Sequence, residues 1–172
     1  MDEKTARALA SLTTGIYVLT VADGSTHHGM SSSWVTQVSG EPALFSAAID
    51  SRHLSREIVS KTGRFGLNIV GRSGKALEDY FYSAASRRPD NLASLDYSLS
   101  PQLGVPWLKL AMIRIGAQVS GSFVAGDHTI FIAELAEIEI GAADEPLTSL
   151  DLDYIYLGGK EIFDRRSLSE RR

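Results

Sequence analysis

The sequence contains no cysteine. Disulfides, thiolate nucleophiles, zinc fingers and iron–sulfur clusters are therefore excluded, and redox chemistry has to come from a bound group rather than from a side chain. Basic residues are also in short supply. Seventeen Lys and Arg against 21 Asp and Glu leave a formal charge of −4, the wrong sign for a protein that grips nucleic acid through a basic patch. No apolar run approaches the roughly 20 residues that cross a bilayer. The start, Met1-Asp2-Glu3-Lys4, lacks the basic and then apolar character of a secretory leader. The expectation is a cytoplasmic protein with no membrane or nucleic-acid partner.

What is present fits one globular domain over residues 1–172, with a core of about 5–160 and a charged, frayed tail at 164–172. Apolar residues make up 44% of the chain, enough for an ordinary core. A short helix is expected from Thr5 to Leu12. Gly15 to Val21 reads as a buried strand, Ala22 to Ser25 as a turn, and about His28 to Val38 as a second strand. Ala43–Ile49 is a short apolar strand. A helix follows from Ser51, its cap, to Thr62, with Gly63 at the C-terminal cap. Phe65–Val70 is a strand and Ser73 to Tyr82 a helix. Ser83–Gln102 reads as an irregular polar segment, expected to be a mobile cover over a ligand. Two long strands, about Lys109–Val124 and Thr129–Ile140, flank a hairpin at Gly126-Asp127, and Tyr154–Leu157 is the last strand. Six or seven strands, mostly adjacent in sequence, with two or three helices imply a mainly β fold with flanking helices, an antiparallel barrel of Greek-key-like order.

Several familiar motifs fail. Gly71-Arg-Ser-Gly-Lys75-Ala76 has Ile69 where a P-loop needs glycine and Ala76 where it needs a hydroxyl, and no GxGxxG follows a strand. His27-His28 has no third ligand at useful spacing, so a solvated turn is expected and no metal site. Asp151 and Asp153 lack the rest of a calcium loop.

Three segments carry more. In Gly29-Met-Ser-Ser-Ser-Trp-Val-Thr-Gln-Val-Ser39 the hydroxyls of Ser31, Ser32, Ser33, Thr36 and Ser39 crowd one strand. A single strand would put Ser31, Ser33 and Val35 on one face and Ser32, Trp34 and Thr36 on the other. Small hydroxyls let a flat polar ligand approach the backbone closely, although an exposed Ser/Thr-rich strand has the same composition. Asp50-Ser-Arg-His-Leu-Ser55 opens a helix whose free N–H groups suit a phosphate, although it also reads as a plain capping region. His128, at a hairpin tip, could donate a hydrogen bond to a substrate, or sit in water.

The order of these pieces resembles the flavin reductase-like family. The resemblance runs from Leu12-Thr-Thr-Gly-Ile-Tyr-Val-Leu-Thr20 through Gly29-Met30-Ser31, Ser33-Trp-Val-Thr-Gln-Val-Ser39, Pro42, Ala48-Ile-Asp50 and Ser55 to Phe65, Asn68 and Gly126-Asp-His-Thr-Ile-Phe131. It implies an FMN-binding split β-barrel and a homodimer. It places Ser31, Ser32, Ser33, Trp34 and Val35 at the flavin ring and ribityl chain. Ser39, Ser51 and Ser55 fall near the polar tail, Ala48, Ile49 and Asp50 along the same pocket, and His128 on the nicotinamide side. Ser31-Ser32, Gly40, Ala43, Arg114 and Ile115 depart from the usual pattern and bear on substrate preference. Ser-Trp-Val-x-Gln-x-Ser also resembles the reductase modules fused to flavodiiron proteins.

The function implied is hydride transfer from NAD(P)H to FMN, with FAD as the other flavin, followed by electron delivery to a monooxygenase or another acceptor protein. The alternative implied is an FMN-binding electron-transfer module with no turnover of its own. A third reading, a binding domain without flavin, predicts a colourless protein that takes up none.

Overall fold

The computed structural model describes residues 1–83, 87–158 and 161–164. Helix α1 (Glu3–Ala10) begins at Asp2, whose carboxylate caps it by accepting the Thr5 N–H. Strands β1 (Tyr17–Asp23) and β2 (Thr26–Ser32) form a hairpin whose tight turn uses Gly24 at φ 59°. Then come β3 (Val35–Ser39), β4 (Leu44–Asp50), α2 (Leu54–Thr62), β5 (Arg64–Ile69) and α3 (Lys75–Tyr82). Two short strands, β6 (Tyr97–Leu99) and β7 (Pro106–Leu108), pair with each other. The long hairpin β8 (Ile113–Ala125) and β9 (His128–Ile140) follows, and β10 (Tyr154–Gly158) with β11 (Glu161–Asp164) closes the described chain.

Seven strands form one sheet in the order β2-β1-β5-β8-β9-β4-β3, and every pairing in it is antiparallel. Its two edges are β2 and β3, yet only Ser33 and Trp34 separate them in sequence. A two-residue link spans well under 15 Å. The sheet therefore curls until its edges nearly meet, and because β2 and β3 do not pair, the barrel stays open between them. Here the sequence expectation fails: the single strand from His28 to Val38 is two strands, broken where the chain leaves one edge for the other. The shared faces expected across Ser31 to Thr36 do not survive the break.

Leu19, Val21, Phe45, Ala47, Ile49, Phe65, Leu67, Ala117, Phe131 and Ala133 fill the barrel, plugged by Ile58 and Val59 of α2. A second core packs Val18, Leu77, Phe81, Leu92 and Leu108 between the barrel wall and α3. The start of α2 also departs from expectation. Asp50 takes the Arg52 N–H, and His53 rather than Ser51 is the cap, its Nδ1 accepting the Ser55 N–H at 3.2 Å. The C-terminal cap is Gly63, at φ 67°. An added Cβ there meets nothing closer than 3.5 Å, so Gly63→Ala is expected to lose about 1 kcal/mol through backbone strain alone. Chemical denaturation checks this.

The polar segment after α3 is anchored. The buried Asn91 amide donates to the Gly29 carbonyl at 2.7 Å and accepts the Gly29 N–H at 2.9 Å, and Leu92 is fully buried. The His27-His28 pair is not a solvated turn either. Both lie in β2, and His28 is 4% exposed with its Nδ1–H donated to the Pro89 carbonyl. Beyond Tyr154–Gly158 the chain makes one more strand, β11, with Asp164 as its last residue. Residues 165–172 of the expected frayed tail lie outside the described residues. Among the described residues no helix is long and apolar enough to cross a membrane.

Candidate active site

The two-residue period of β4 separates the barrel interior from the site. Phe45, Ala47 and Ile49 point into the core, so Ser46, Ala48 and Asp50 stand on the outer face. The neighbouring β9 sets His128 opposite Asp50 and Ile130 opposite Ala48. Against this face, at the split, lies a cavity of about 570 Å³. Gly29 to Trp34 form its wall from β2 and the edge-to-edge link. Arg52 and His53 stand at the entry to α2, with Phe81 and Tyr82 at the end of α3. The β10–β11 hairpin supplies Tyr154, Tyr156 and Ile162, while its other face packs Ile155 and Leu157 on Ala10 of α1.

The rings are fixed against one another. Trp34 lies 4.6 Å from the His128 ring centroid and 5.4 Å from that of Tyr156, and Tyr82 stacks on Tyr154 at 4.5 Å. Tyr154 is held by its hydroxyl, which donates to Glu78. Burial pushes the Glu78 carboxyl up. Trp34 also borders a second cavity of about 540 Å³ along β3, shared at Ser33 and Ala48.

Hydrogen bonds settle how the histidines present their nitrogens. His128 donates Nδ1–H to the Asp127 carboxylate at 2.7 Å, so in the neutral ring Nε2 is an acceptor. His53 has the opposite arrangement: Nδ1 accepts the Ser55 N–H, and Nε2 carries the proton. Asp50 receives the Arg52 backbone N–H at 2.9 Å, Nε at 3.0 Å and an NH2 group at 2.8 Å. This hydrogen bonding from Arg52 holds the Asp50 carboxyl down to about 2.

Burial, reinforced by the neighbouring His28 ring, pushes His53 down to about 4. The folded protein therefore refuses a proton that the unfolded chain takes near pH 6.5. The contribution of His53 is fully present above that pH and is lost as pH falls toward 4. Between pH 7 and 5 it is expected to cost about 2 kcal/mol of stability. His28, lowered by burial, adds in the same direction. Denaturation of wild type and His53→Asn at both pH values checks this: asparagine keeps a cap, and the variant should lose the smaller amount of stability.

Of the residues singled out from sequence, Ser31, Ser32, Ser33, Trp34, Ala48, Asp50 and His128 come together around the cavity. The others do not line it. Ile49 is a core residue with no exposure, and Val35 borders the second cavity instead. Ser39 ends β3, and Ser51 gives its N–H to the Asp127 carbonyl. Ser55 is fully buried, with no partner for its Oγ among the described residues. The segment expected to cover a ligand contributes no described residue to the cavity, because Asn91 and Leu92 draw it onto β2 and the second core. That place is taken by the β10–β11 hairpin. Its signal in the sequence was Tyr154 and Tyr156 alternating with Ile155 and Leu157.

A split antiparallel barrel with an aromatic cavity at its seam defines a class, and comparison with known proteins says which. The flavin reductase like domain matches residues 9–158, and the chain belongs to that family. Relatives include the flavin reductase (NADPH) of Lentzea aerocolonigenes, 32% identical over 77% of each chain. Another is the high molecular weight rubredoxin of Moorella thermoacetica, 27% identical over 86% of this chain. This chain spans only 64% of that protein's length. Among solved structures, flavin reductase PheA2 superposes with a TM-score of 0.73 at 28% identity, covering 86% of this chain and 93% of that one.

Proposed function

We propose that this chain is an NAD(P)H-dependent flavin reductase that takes FMN or FAD and passes the electrons to an acceptor protein. The observation that carries the reading is the cavity at the split. Its volume, about 570 Å³, falls in the range of small-molecule sites. Its walls offer what a flat ring with a polar chain needs. Glycine and serine backbone on one side permits close approach, Trp34, Tyr154 and Tyr156 offer flat surfaces, and a few hydrogen-bonding groups converge. The names of the relatives support the same reaction.

A bound flavin supplies the two-electron acceptance from NAD(P)H that no side chain here can provide. The protein's part is orientation and exclusion of water. Ser31 to Ser33 and Ala48 would hold the ring and its chain. Trp34 and the hairpin tyrosines narrow the remaining space to a slot. His128, fixed by Asp127 and packed at a tilt against Trp34, offers Nε2 to an N–H such as that of the nicotinamide carboxamide. This reverses the donor role expected from sequence, because the bond to Asp127 consumes the Nδ1 proton.

A homodimer is part of the reading, with cytoplasmic residence, where NAD(P)H is supplied. Edge strand β3 leaves Val38 49% exposed, and Phe123 and Val124 of β8 are 55% and 71% exposed. Val38 lies on the unpaired edge, Phe123 and Val124 lie on the stretch of β8 that β5 does not reach, and such apolar surface suits a subunit contact. Light scattering should give twice the chain mass at micromolar concentration, and a single-chain mass would contradict the dimer. The test of function is nicotinamide oxidation by the purified protein with FMN or FAD.

A further inference from the structure

The geometry points to Asp50 as a specificity residue: its carboxylate occupies the seat that Arg52 would otherwise offer to a phosphate, so the cavity selects flavins by ring and ribityl chain rather than by phosphate. This rests on the flavin reading above. Arg52 is the single cationic side chain among the described residues that line the cavity. The Nε–Nη2 edge of its guanidinium is engaged by Asp50, at 3.0 and 2.8 Å, and its backbone N–H goes to the same carboxylate. Two oxygens collecting a backbone N–H and a guanidinium fork reproduce the contacts a phosphate makes.

The rest of the loop is closed in the same way. The Ser51 N–H goes to the Asp127 carbonyl, the His53 N–H to the Asp50 carbonyl, and the Ser55 N–H to the His53 ring. Four of the amides that suggested a phosphate site in the sequence, those of Ser51, Arg52, His53 and Ser55, are thus satisfied from within. A phosphate arriving at this rim meets the Asp50 charge and must also displace Asp50 from Arg52. A dephosphorylated flavin meets neither obstacle. FMN and riboflavin should therefore bind this chain about equally.

Asp50→Asn removes the charge, while the amide oxygen still accepts the Arg52 N–H and keeps the turn. The test titrates wild type, Asp50→Asn and Asp50→Asn/Arg52→Gln with riboflavin and with FMN, following flavin fluorescence, with thermal melts to verify folding. Wild type should bind the two within about threefold of each other. Asp50→Asn should tighten FMN about tenfold and leave riboflavin unchanged, since a charge-assisted bond to a phosphate contributes that much, and the double variant should lose the gain. A wild type that prefers FMN by about thirtyfold or more, or an Asp50→Asn protein that binds FMN no better, overturns the assignment while the flavin reading stands. Wild type that binds neither flavin overturns both.

Discussion

His128→Ala is expected to cut NAD(P)H oxidation on the order of a hundredfold while FMN affinity changes by less than about threefold. The ring is 5% exposed, fixed at Nδ1 by Asp127 and pressed against Trp34 at 4.6 Å. A group held this firmly is suited to setting an angle. One hydrogen bond to a neutral amide contributes only about 0.5–1.5 kcal/mol, so lost affinity alone would give about a tenfold effect at most. The larger loss comes from misplacement, since a shift of about 1 Å between reacting groups costs about that hundredfold. Steady-state turnover and FMN titration on the same preparation separate the two. Unchanged turnover would reduce His128 to a packing residue, and lost FMN binding would move it to the flavin side.

Asn68→Leu is expected to destabilise the fold by about 4 kcal/mol. Asn68 is fully buried in β5 and joins three elements. Its amide nitrogen donates to the Val18 carbonyl and to Thr20 Oγ1, each at 3.1 Å, and its oxygen accepts the Leu108 N–H at 2.7 Å. Leucine matches the volume and provides none of these. The Leu108 N–H, in the two-stranded β6–β7 ribbon, is left with no acceptor, and each buried group so orphaned costs about 1–3 kcal/mol. Urea denaturation checks this. A loss below about 1 kcal/mol would mean that water reaches these groups.

Much of the barrel was legible because its strands announce themselves by composition and period. β4 is a short apolar run, β8 and β9 are long β-prone runs around Gly126-Asp127, and Gly63 marks the end of α2. What the sequence concealed depends on contacts between distant residues. Ser33-Trp34 is as strand-prone as its flanks, and only the edge-to-edge topology explains the break there. Asn91 looks like loop polarity until Gly29 is placed beside it. His53 takes the cap expected at Ser51, because the Ser51 N–H goes to the Asp127 carbonyl, Asp50 binds Arg52, and the helix starts only at Leu54. The resemblance places Ile49 with Ala48 and Asp50 along the pocket, whereas the strand period turns it inward. The hairpin tyrosines were read as one more strand because nothing local says which face is covered.

The central claim is tested most directly by mixing the purified protein with FMN and NADH, or with FMN and NADPH, and following the nicotinamide absorbance. The account predicts that at least one coenzyme is oxidised, at a rate proportional to protein concentration and dependent on added flavin. If both coenzymes remain reduced while FMN is demonstrably bound, the chain is not a flavin reductase, and the cavity at the split serves binding or electron transfer alone.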